Sequence, residues 1–174
     1  MNAHSYQNLV LLGGDGMRII QDSREQAPYA FNAPRYAGTV VEVGVLQTGD
    51  YSLHGLTDRI ALERKSLSDL CGTLTTGRER FKRECERGRG LEYFGLVIEA
   101  SMDDVRRHNY RSAMTPQSLL QTLAAWSVRY GLHVHWCGSR EGGEYLTHSL
   151  LEKFLKEQQT RLAALVKAHG GEAA

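Results

Sequence analysis

The sequence predicts an α/β domain in which a central mixed β-sheet is covered by helices. Two observations support this class. From Arg18 to Lys65 the chain consists of short apolar and β-branched runs separated by turn residues, a pattern typical of strands. After Lys65 apolar residues recur at helical spacing, and short apolar strands then alternate with helices. A chain of 174 residues is long enough to bury one sizeable core.

Four strands are expected in the first half of the chain, over residues 18–22, 39–46, 50–53 and 59–65. The last two flank a turn at residues 54–58 and form a hairpin. The preceding residues 1–17 are polar and rich in glycine, and we interpret them as a leader or an edge segment.

Helices and two further strands are expected after Lys65. A helix starts near Leu67, a basic helix covers residues 77–89, and Ser101 caps a short helix. Thr115 and Pro116 open a longer one that ends near Gly131. Strands are predicted over residues 95–100 and 132–137, and an amphipathic helix over about 141–168. The apolar stripe of the Thr115 helix is predicted to consist of Leu120, Leu123, Ala124 and Val128.

The composition is that of an ordinary globular protein, with 41% hydrophobic and 24% charged residues. Because the formal net charge is only +1, any nucleic-acid binding has to come from a local basic surface. The three cysteines lack the paired spacing of a zinc site, which favours reduced thiols used for packing. No signal segment or membrane span is evident, so an intracellular protein is expected.

One segment carries a candidate site. In a strand, successive side chains alternate between faces, so Glu63 and Lys65 point one way and Arg64 the other. The predicted hairpin brings Asp50 alongside Glu63. Two carboxylates, together with substrate phosphate, are sufficient for a magnesium site, with Lys65 beside them. The same three residues also fit a surface ion-pair ladder worth only ~0.2–1 kcal/mol, and spacing alone does not exclude it.

These residues belong to an ordered set of motifs. Gly49 and Asp50 are followed by Glu63-Arg64-Lys65 and, after three residues, by Asp69. Upstream stand Asp22, Arg24 and Glu25, and downstream Gly77 and Arg78 begin the basic helix. This order and spacing resembles the nuclease domain of the XPF and Hef proteins, structure-specific DNA endonucleases. The similarity extends from about Arg18 to Cys137.

The resemblance implies a restriction-endonuclease-like core over residues 18–140. We expect a helical extension over residues 141–174 and no helix-hairpin-helix domain, which is a departure from the usual members of the family and weakens the inference to flap or fork specificity. It implies hydrolysis of DNA phosphodiester bonds with Mg²⁺ or Mn²⁺, and branched or junction DNA as substrate in repair or recombination. Asp50 and Glu63 would be metal ligands, Asp22 a further acid at the metal site, and Lys65 the residue that positions water or stabilises charge. Glu25, Arg64 and Asp69 match motif positions with less defined roles, and Arg64 is expected to hold the hairpin or a neighbouring acid.

Several of these features have alternative explanations. Asp69 also fits the cap of the helix that follows Ser66. The basic helix, with Arg78 and Lys82 as candidate phosphate contacts, also fits a solvated face with ion pairs along it. His133 and His135 lie on one face of a strand, where histidines are usually structural rather than metal ligands. The glycines from Gly13 to Gly16 lack the lysine of a phosphate loop and are interpreted as a turn.

The function likewise has alternatives. The chain could be a non-catalytic DNA-binding or scaffolding partner with the same fold, although intact Asp50, Glu63 and Lys65 favour an enzyme. A nuclease that acts on unbranched DNA also fits. The resemblance implies a homodimer, with residues 115–130 and the terminal helix as the candidate surface, and the compact form suggests a prokaryotic or phage protein.

Overall fold

The computed structural model describes residues 16–170, which form a mixed β-sheet with helices on both faces. The strands are β1 (Arg18–Asp22), β2 (Val40–Gly44), β3 (Tyr51–Leu53), β4 (Ile60–Lys65), β5 (Tyr93–Ile98) and β6 (His133–Trp136). The helices are α1 (Leu67–Leu74), α2 (Arg78–Gly88), α3 (Met102–Arg106), α4 (Pro116–Tyr130) and α5 (Arg140–His169), and a 3-10 turn covers Pro34–Tyr36. The predicted α/β class with a central mixed sheet is confirmed.

The strand order within the described residues is β2-β1-β3-β4-β5-β6. β1 is parallel to β2 and antiparallel to β3, and β3 and β4 form the predicted antiparallel hairpin. β4, β5 and β6 are parallel to one another. The hairpin therefore lies in the middle of the sheet, where its strands are paired on both edges.

The two faces of the sheet bury different cores. Alternation along β4 directs Ala61 toward a core shared with α1, α2 and α4, whereas Ile60 and Leu62 point to the opposite face. That second face packs on an aromatic cluster of Tyr29, Phe31, Tyr36 and Tyr51, and on Leu151 of α5. The same alternation, continued to the end of β4, separates the side chains of the candidate site.

Helix boundaries follow the expected capping residues. The side chain of Ser101 accepts a hydrogen bond from the Asp104 amide, and Asp104 completes a reciprocal capping box at the start of α3. Thr115 accepts from the Ser118 amide ahead of Pro116 at the start of α4. Gly131 ends α4 in the left-handed conformation, with φ of 69°. These short-range signals are why the predicted boundaries agree with the structure to within a few residues.

Some expectations need correction. The buried stripe of α4 consists of Leu119, Leu123, Trp126 and Tyr130, and the predicted stripe shared only Leu123 with it. Leu120 is half-buried, whereas Ala124 is exposed and Val128 is 90% exposed. The two aromatic side chains decided the orientation, since their area outweighs that of Ala124 and Val128.

Other expectations fall at the ends of the chain or in the packing. Of the predicted leader, residues 1–15 and the glycines among them lie outside the described residues, whereas Met17 is already part of the second core. The three cysteines are free thiols, and Cys71 and Cys85 are buried in the first core, as expected for packing residues. Within residues 16–170, no helix has the length and apolar character needed to cross a membrane.

Candidate active site

A cleft of about 940 Å³ opens at the carboxyl end of β4, where the strand leads into α1. It is bounded by the segment after β1, the turn before β3, and helices α1 and α2. The predicted catalytic and supporting residues line it, namely Asp22, Glu25, Asp50, Glu63, Arg64, Lys65 and Asp69. The structure thus brings together side chains that are up to 47 positions apart in the sequence.

Glu63 and Lys65 lie on the same face of β4, as alternation predicts. Glu63 is buried, only 5% exposed, and its Oε1 contacts the Nζ of Lys65. Lys65 Nζ also lies 5.7 Å from the centre of the Phe81 ring, so the aromatic side chain of α2 encloses the ammonium group. An acid and a lysine are therefore held together at a buried strand end, not in an exposed ladder.

Asp50 immediately precedes β3 and faces the end of β4. Its backbone N–H donates to Leu62 O at 2.8 Å, and its Oδ2 accepts from the Arg64 N–H at 2.8 Å. The preceding Gly49 has φ of 74°, and a Cβ there would lie 2.9 Å from Leu62 O. Glycine is required because the turn is left-handed and runs against the β4 backbone.

Burial and like charge make the two carboxylates hard to ionise together. Burial is the main cause that raises the pKa of Asp50 to about 7, against the partial compensation of Lys65. Burial, together with the nearby Asp50 charge, raises the pKa of Glu63 well above its usual range. Burial lowers the pKa of Lys65, but Glu63 and Asp50 outweigh it and the pKa of Lys65 is raised. The centre is thus an electrostatically strained acid pair beside a stable ammonium group.

Asp22 is held differently from the other two acids. Its Oδ1 accepts from the backbone and Nε of Arg24, both at 2.8 Å, and its Oδ2 accepts from Arg24 Nη2 and the Leu46 amide at 2.9 and 2.7 Å. The Arg24 hydrogen bond is the largest cause that lowers the pKa of Asp22. Both oxygens of this buried carboxylate are therefore already used to organise the segment after β1.

Arg64 extends to the opposite face of the sheet. It donates to both oxygens of Glu99, at 2.7 and 2.6 Å, and approaches Glu25 at 3.5 Å. Arg140 at the start of α5 reaches the same Glu99 at 3.2 Å. The expectation that Arg64 ties down a neighbouring acid is confirmed, and its main partner is Glu99, immediately after β5.

Asp69 lies in the first turn of α1 and lines the cleft. The Asp69 amide donates to Ser66 Oγ at 3.1 Å, and Ser66 Oγ donates to Asp69 Oδ2 at 2.7 Å. The helix-cap interpretation is confirmed. The exposed carboxylate still faces the cleft, so both interpretations of Asp69 have a structural basis.

Helix α2 contributes residues to the cleft that were not among the predicted site residues. Arg80, Glu84 and Arg87 line it, whereas Arg78 and Lys82 do not. Arg78 lies over the Trp126 ring at 5.2 Å, and Lys82 pairs with Glu79 at 2.7 Å.

Helical spacing could have identified this set. Residues 80, 84 and 87 are separated by four and three positions and so share one face of α2. Assigning that face to the cleft requires knowing how α2 packs, which the sequence alone did not show. His133 and His135 lie apart from the cleft, with the ring of Tyr93 stacked on His133 and its hydroxyl 2.7 Å from His135 Nε2.

The donor chemistry of Asp50 and Glu63 fits a hard divalent cation. Both offer carboxylate oxygens, the ligands that Mg²⁺ and Mn²⁺ prefer, and their mutual repulsion would be relieved by positive charge. Within the described part of the chain, no group of three or more His, Cys, Asp or Glu side chains is arranged to hold a metal. Two carboxylates, with the remaining positions open to water and phosphate, are the arrangement that this geometry offers.

Comparisons with known proteins agree with the geometry. The model of the ERCC4 domain matches residues 21–149, which is most of the chain. The chain belongs to the ERCC4 domain family. Its fold matches that of XPF from Aeropyrum pernix, with a TM-score of 0.62 and 25% identity over 78% of this chain and 60% of that one.

A second structure of XPF from Aeropyrum pernix, in complex with DNA, matches with a TM-score of 0.62 and 26% identity over 81% of this chain and 66% of that one. The chain thus spans less than two-thirds of the length of these XPF chains. Among curated protein sequences, none matches this one. The family match includes every residue of the candidate site and the first turns of α5.

Proposed function

We propose that this protein is a divalent-metal-dependent DNA endonuclease that hydrolyses phosphodiester bonds at the Asp50, Glu63 and Lys65 centre. The observation that carries the proposal is the acid pair: two carboxylates that repel each other are held in a cleft beside a lysine. Carboxylates in a cleft whose pKa values are raised by burial and by each other's charge are typical of functional sites. Membership of the ERCC4 domain family and similarity to an XPF structure in complex with DNA support the same activity.

Each residue has a distinct role in this proposal. Asp50 and Glu63 hold Mg²⁺ or Mn²⁺, which when bound supplies Lewis-acid stabilisation of the charge that develops on the phosphate. Lys65 keeps its proton, and its Nζ is placed to donate to a phosphate oxygen or to orient the attacking water. Asp22, predicted as a third ligand, borders the centre and fixes its wall through Arg24.

The test is cleavage of labelled fork, flap, four-way-junction, duplex and single-stranded DNA with Mg²⁺, Mn²⁺ or EDTA. We expect metal-dependent cleavage, strongest on the branched substrates, and its loss in Asp50→Asn and Lys65→Met. Asp58→Asn, an exposed acid in the β3–β4 turn, is the matched control and should cut normally. Absence of cleavage of every substrate by the wild-type protein would refute the enzyme, and binding without cleavage would indicate a scaffolding partner.

The DNA path is proposed to follow the cleft face of α2. Arg80 lines the cleft, is exposed, and makes no side-chain hydrogen bond or ion pair to any residue between 16 and 170. It is therefore available to a phosphate, whereas Arg78 and Lys82, the candidates from the sequence, have partners on the protein. Arg80→Ala should weaken DNA binding and reduce the slope of log affinity against log salt by about 1. A larger loss of DNA affinity in the Arg78→Ala, Lys82→Ala double variant would indicate that those two residues, and not Arg80, contact the phosphates.

We also propose that the protein acts as a homodimer, as the resemblance implies. α4 exposes Val128 and the end of α5 exposes Leu162 and Leu165, at 90%, 45% and 58%. α4 and α5 pack on opposite faces of the sheet, and the apolar side chains that each helix exposes favour burial against a second copy. Sedimentation velocity over a range of concentrations should show a dimer that Val128→Glu weakens, and a monomer at all concentrations would exclude it.

A further inference from the structure

Helix α2 is attached to the turn that carries Asp50. Glu84 Oε1 accepts a hydrogen bond from the Gly49 N–H at 2.9 Å. One turn further along the helix, Arg87 Nε donates to Gln47 O at 3.1 Å and approaches Thr48 Oγ1 at 3.3 Å. Two side chains of α2, one helical turn apart on the same face, therefore hold three consecutive residues of the turn before β3.

These contacts complete the restraints on Asp50. The backbone N–H of Asp50 donates to Leu62 O, and its carbonyl accepts from the Asp22 N–H, both at 2.8 Å, so the sheet fixes Asp50 itself on both edges. The N–H of the preceding Thr48–Gly49 peptide takes part in neither ladder. This Gly49 N–H points instead to α2, where Glu84 is the acceptor, and the left-handed φ of 74° sets that direction.

A carboxylate is an unfavourable choice for a purely structural acceptor here. Glu84 is half-buried and lines the cleft beside Asp50 and Glu63, two acids that already repel each other. A neutral acceptor such as glutamine would accept the same hydrogen bond without adding negative charge. A bound cation would offset the added negative charge, and a charged acceptor makes a stronger hydrogen bond to the N–H.

We propose that Glu84 is a positioning residue of the nuclease centre, which acts on Asp50 through the Gly49 N–H. This inference rests on the proposed function, in which Asp50 holds the cation. Glu84 fixes the Thr48–Gly49 peptide, which leads directly into Asp50, and thereby the direction of the Asp50 carboxylate relative to Glu63. Residues that orient a metal ligand in this way typically change metal affinity or activity by about 10–100-fold when removed.

Three variants test the proposal. Glu84→Ala removes the acceptor, Glu84→Gln keeps an acceptor oxygen but removes the charge, and Glu86→Ala is a matched control on the exposed side of the same helix. Glu84→Ala should lower kcat for DNA cleavage by about 10–100-fold with KM for DNA within about twofold. Glu84→Gln should recover most of kcat, and Glu86→Ala should match the wild type.

Two measurements do not depend on cleavage. Mn²⁺ titration calorimetry on the full protein without DNA should show about 10–100-fold weaker binding in Glu84→Ala than in the wild type, with the Gln variant close to the wild type. Amide exchange by NMR should show loss of protection at Gly49 in Glu84→Ala alone. If the wild type binds Mn²⁺ but cuts no DNA, the proposed function fails and the positioning role is still measured. The role of the hydrogen bond would be overturned if Glu84→Gln lowered kcat and Mn²⁺ affinity as much as Glu84→Ala does. It would also be overturned if Glu84→Ala left both the Mn²⁺ affinity and the protection of the Gly49 amide unchanged.

Discussion

Replacing Asp50 by asparagine should stabilise the protein at pH 8 although it abolishes the proposed activity. Burial, as the main cause, raises the pKa of Asp50 from an ordinary 3.8 to about 7. Between these pH values the folded protein binds more protons than the unfolded chain, so the free energy of unfolding falls as the pH rises. The stability that is present below pH 4 is lost as the pH approaches 7, and it stays lost at pH 8. Asparagine carries no charge and escapes this loss.

The size of the effect follows from the two pKa values. An interval of about 3 pKa units at 1.36 kcal/mol each corresponds to about 4 kcal/mol at pH 8. Asparagine resembles the protonated carboxyl group and retains an acceptor for the Arg64 N–H, but its amide does not reproduce every contact of that group, so a gain of about 2–4 kcal/mol is expected. For a protein of this length that corresponds to a rise in Tm of roughly 4–16 °C. At pH 5, most of the interval between the two pKa values still lies above the solution pH. Less than half of the stability gain of Asp50→Asn is therefore expected at pH 5.

The assay is thermal and urea unfolding of the wild type and Asp50→Asn at pH 5 and pH 8, with EDTA present to remove divalent cations. Asp58→Asn is the control, since this exposed side chain should leave stability unchanged at both pH values. An Asp50→Asn protein that is no more stable than the wild type at pH 8 would refute the strained acid pair. Adding Mg²⁺ should stabilise the wild type and not Asp50→Asn.

Three other substitutions probe the framework of the site. Arg64→Ala should destabilise the protein by about 3–5 kcal/mol in urea unfolding, because the nearly buried Glu99 carboxylate loses its bidentate partner; a cost below 1 kcal/mol would contradict this. Leu151→Ala should cost about 2–5 kcal/mol in the same assay, since Leu151 is fully buried between α5 and the sheet, and an unchanged midpoint would place α5 outside the core. Gly49→Ala should cost about 1–3 kcal/mol and reduce cleavage, because its Cβ meets Leu62 O; normal cleavage would show that the turn adapts.

The sequence predicts the fold well where the signals are short-range. The hairpin of β3 and β4 follows from two strand-like runs around a turn, and α3 and α4 begin at the capping residues Ser101 and Thr115. The predicted orientation of α4 was wrong because the helix carries two apolar stripes, and the sequence does not show which of them is buried. The choice between them depends on how Trp126 and Tyr130 fit the underlying sheet, which is a property of tertiary packing.

In the candidate site, too, the sequence predicts the local features and not those that depend on tertiary packing. Strand alternation alone correctly placed Glu63 and Lys65 on one face and Arg64 on the other. The partners of these residues could not be predicted from spacing, since Glu84 and Glu99 come from elements that are distant in the sequence. Their positions depend on the packing of α2 and the register of β5, and neither has a local signature.

The alternation of β4 also separates stabilising charge from destabilising charge. On one face, Arg64 pairs with Glu25 and Glu99, and Arg140 links Glu99 to the start of α5. On the other face, one strand position away, Glu63 is buried beside a second carboxylate that Lys65 only partly offsets. Removing charge should therefore have opposite effects on the two faces: Arg64→Ala destabilises the fold, whereas Asp50→Asn stabilises it at pH 8. The ion pairs on the Arg64 face stabilise the folded state and thereby offset part of the cost of burying the acid pair without a cation, so the fold can retain two carboxylates that disfavour each other's ionisation.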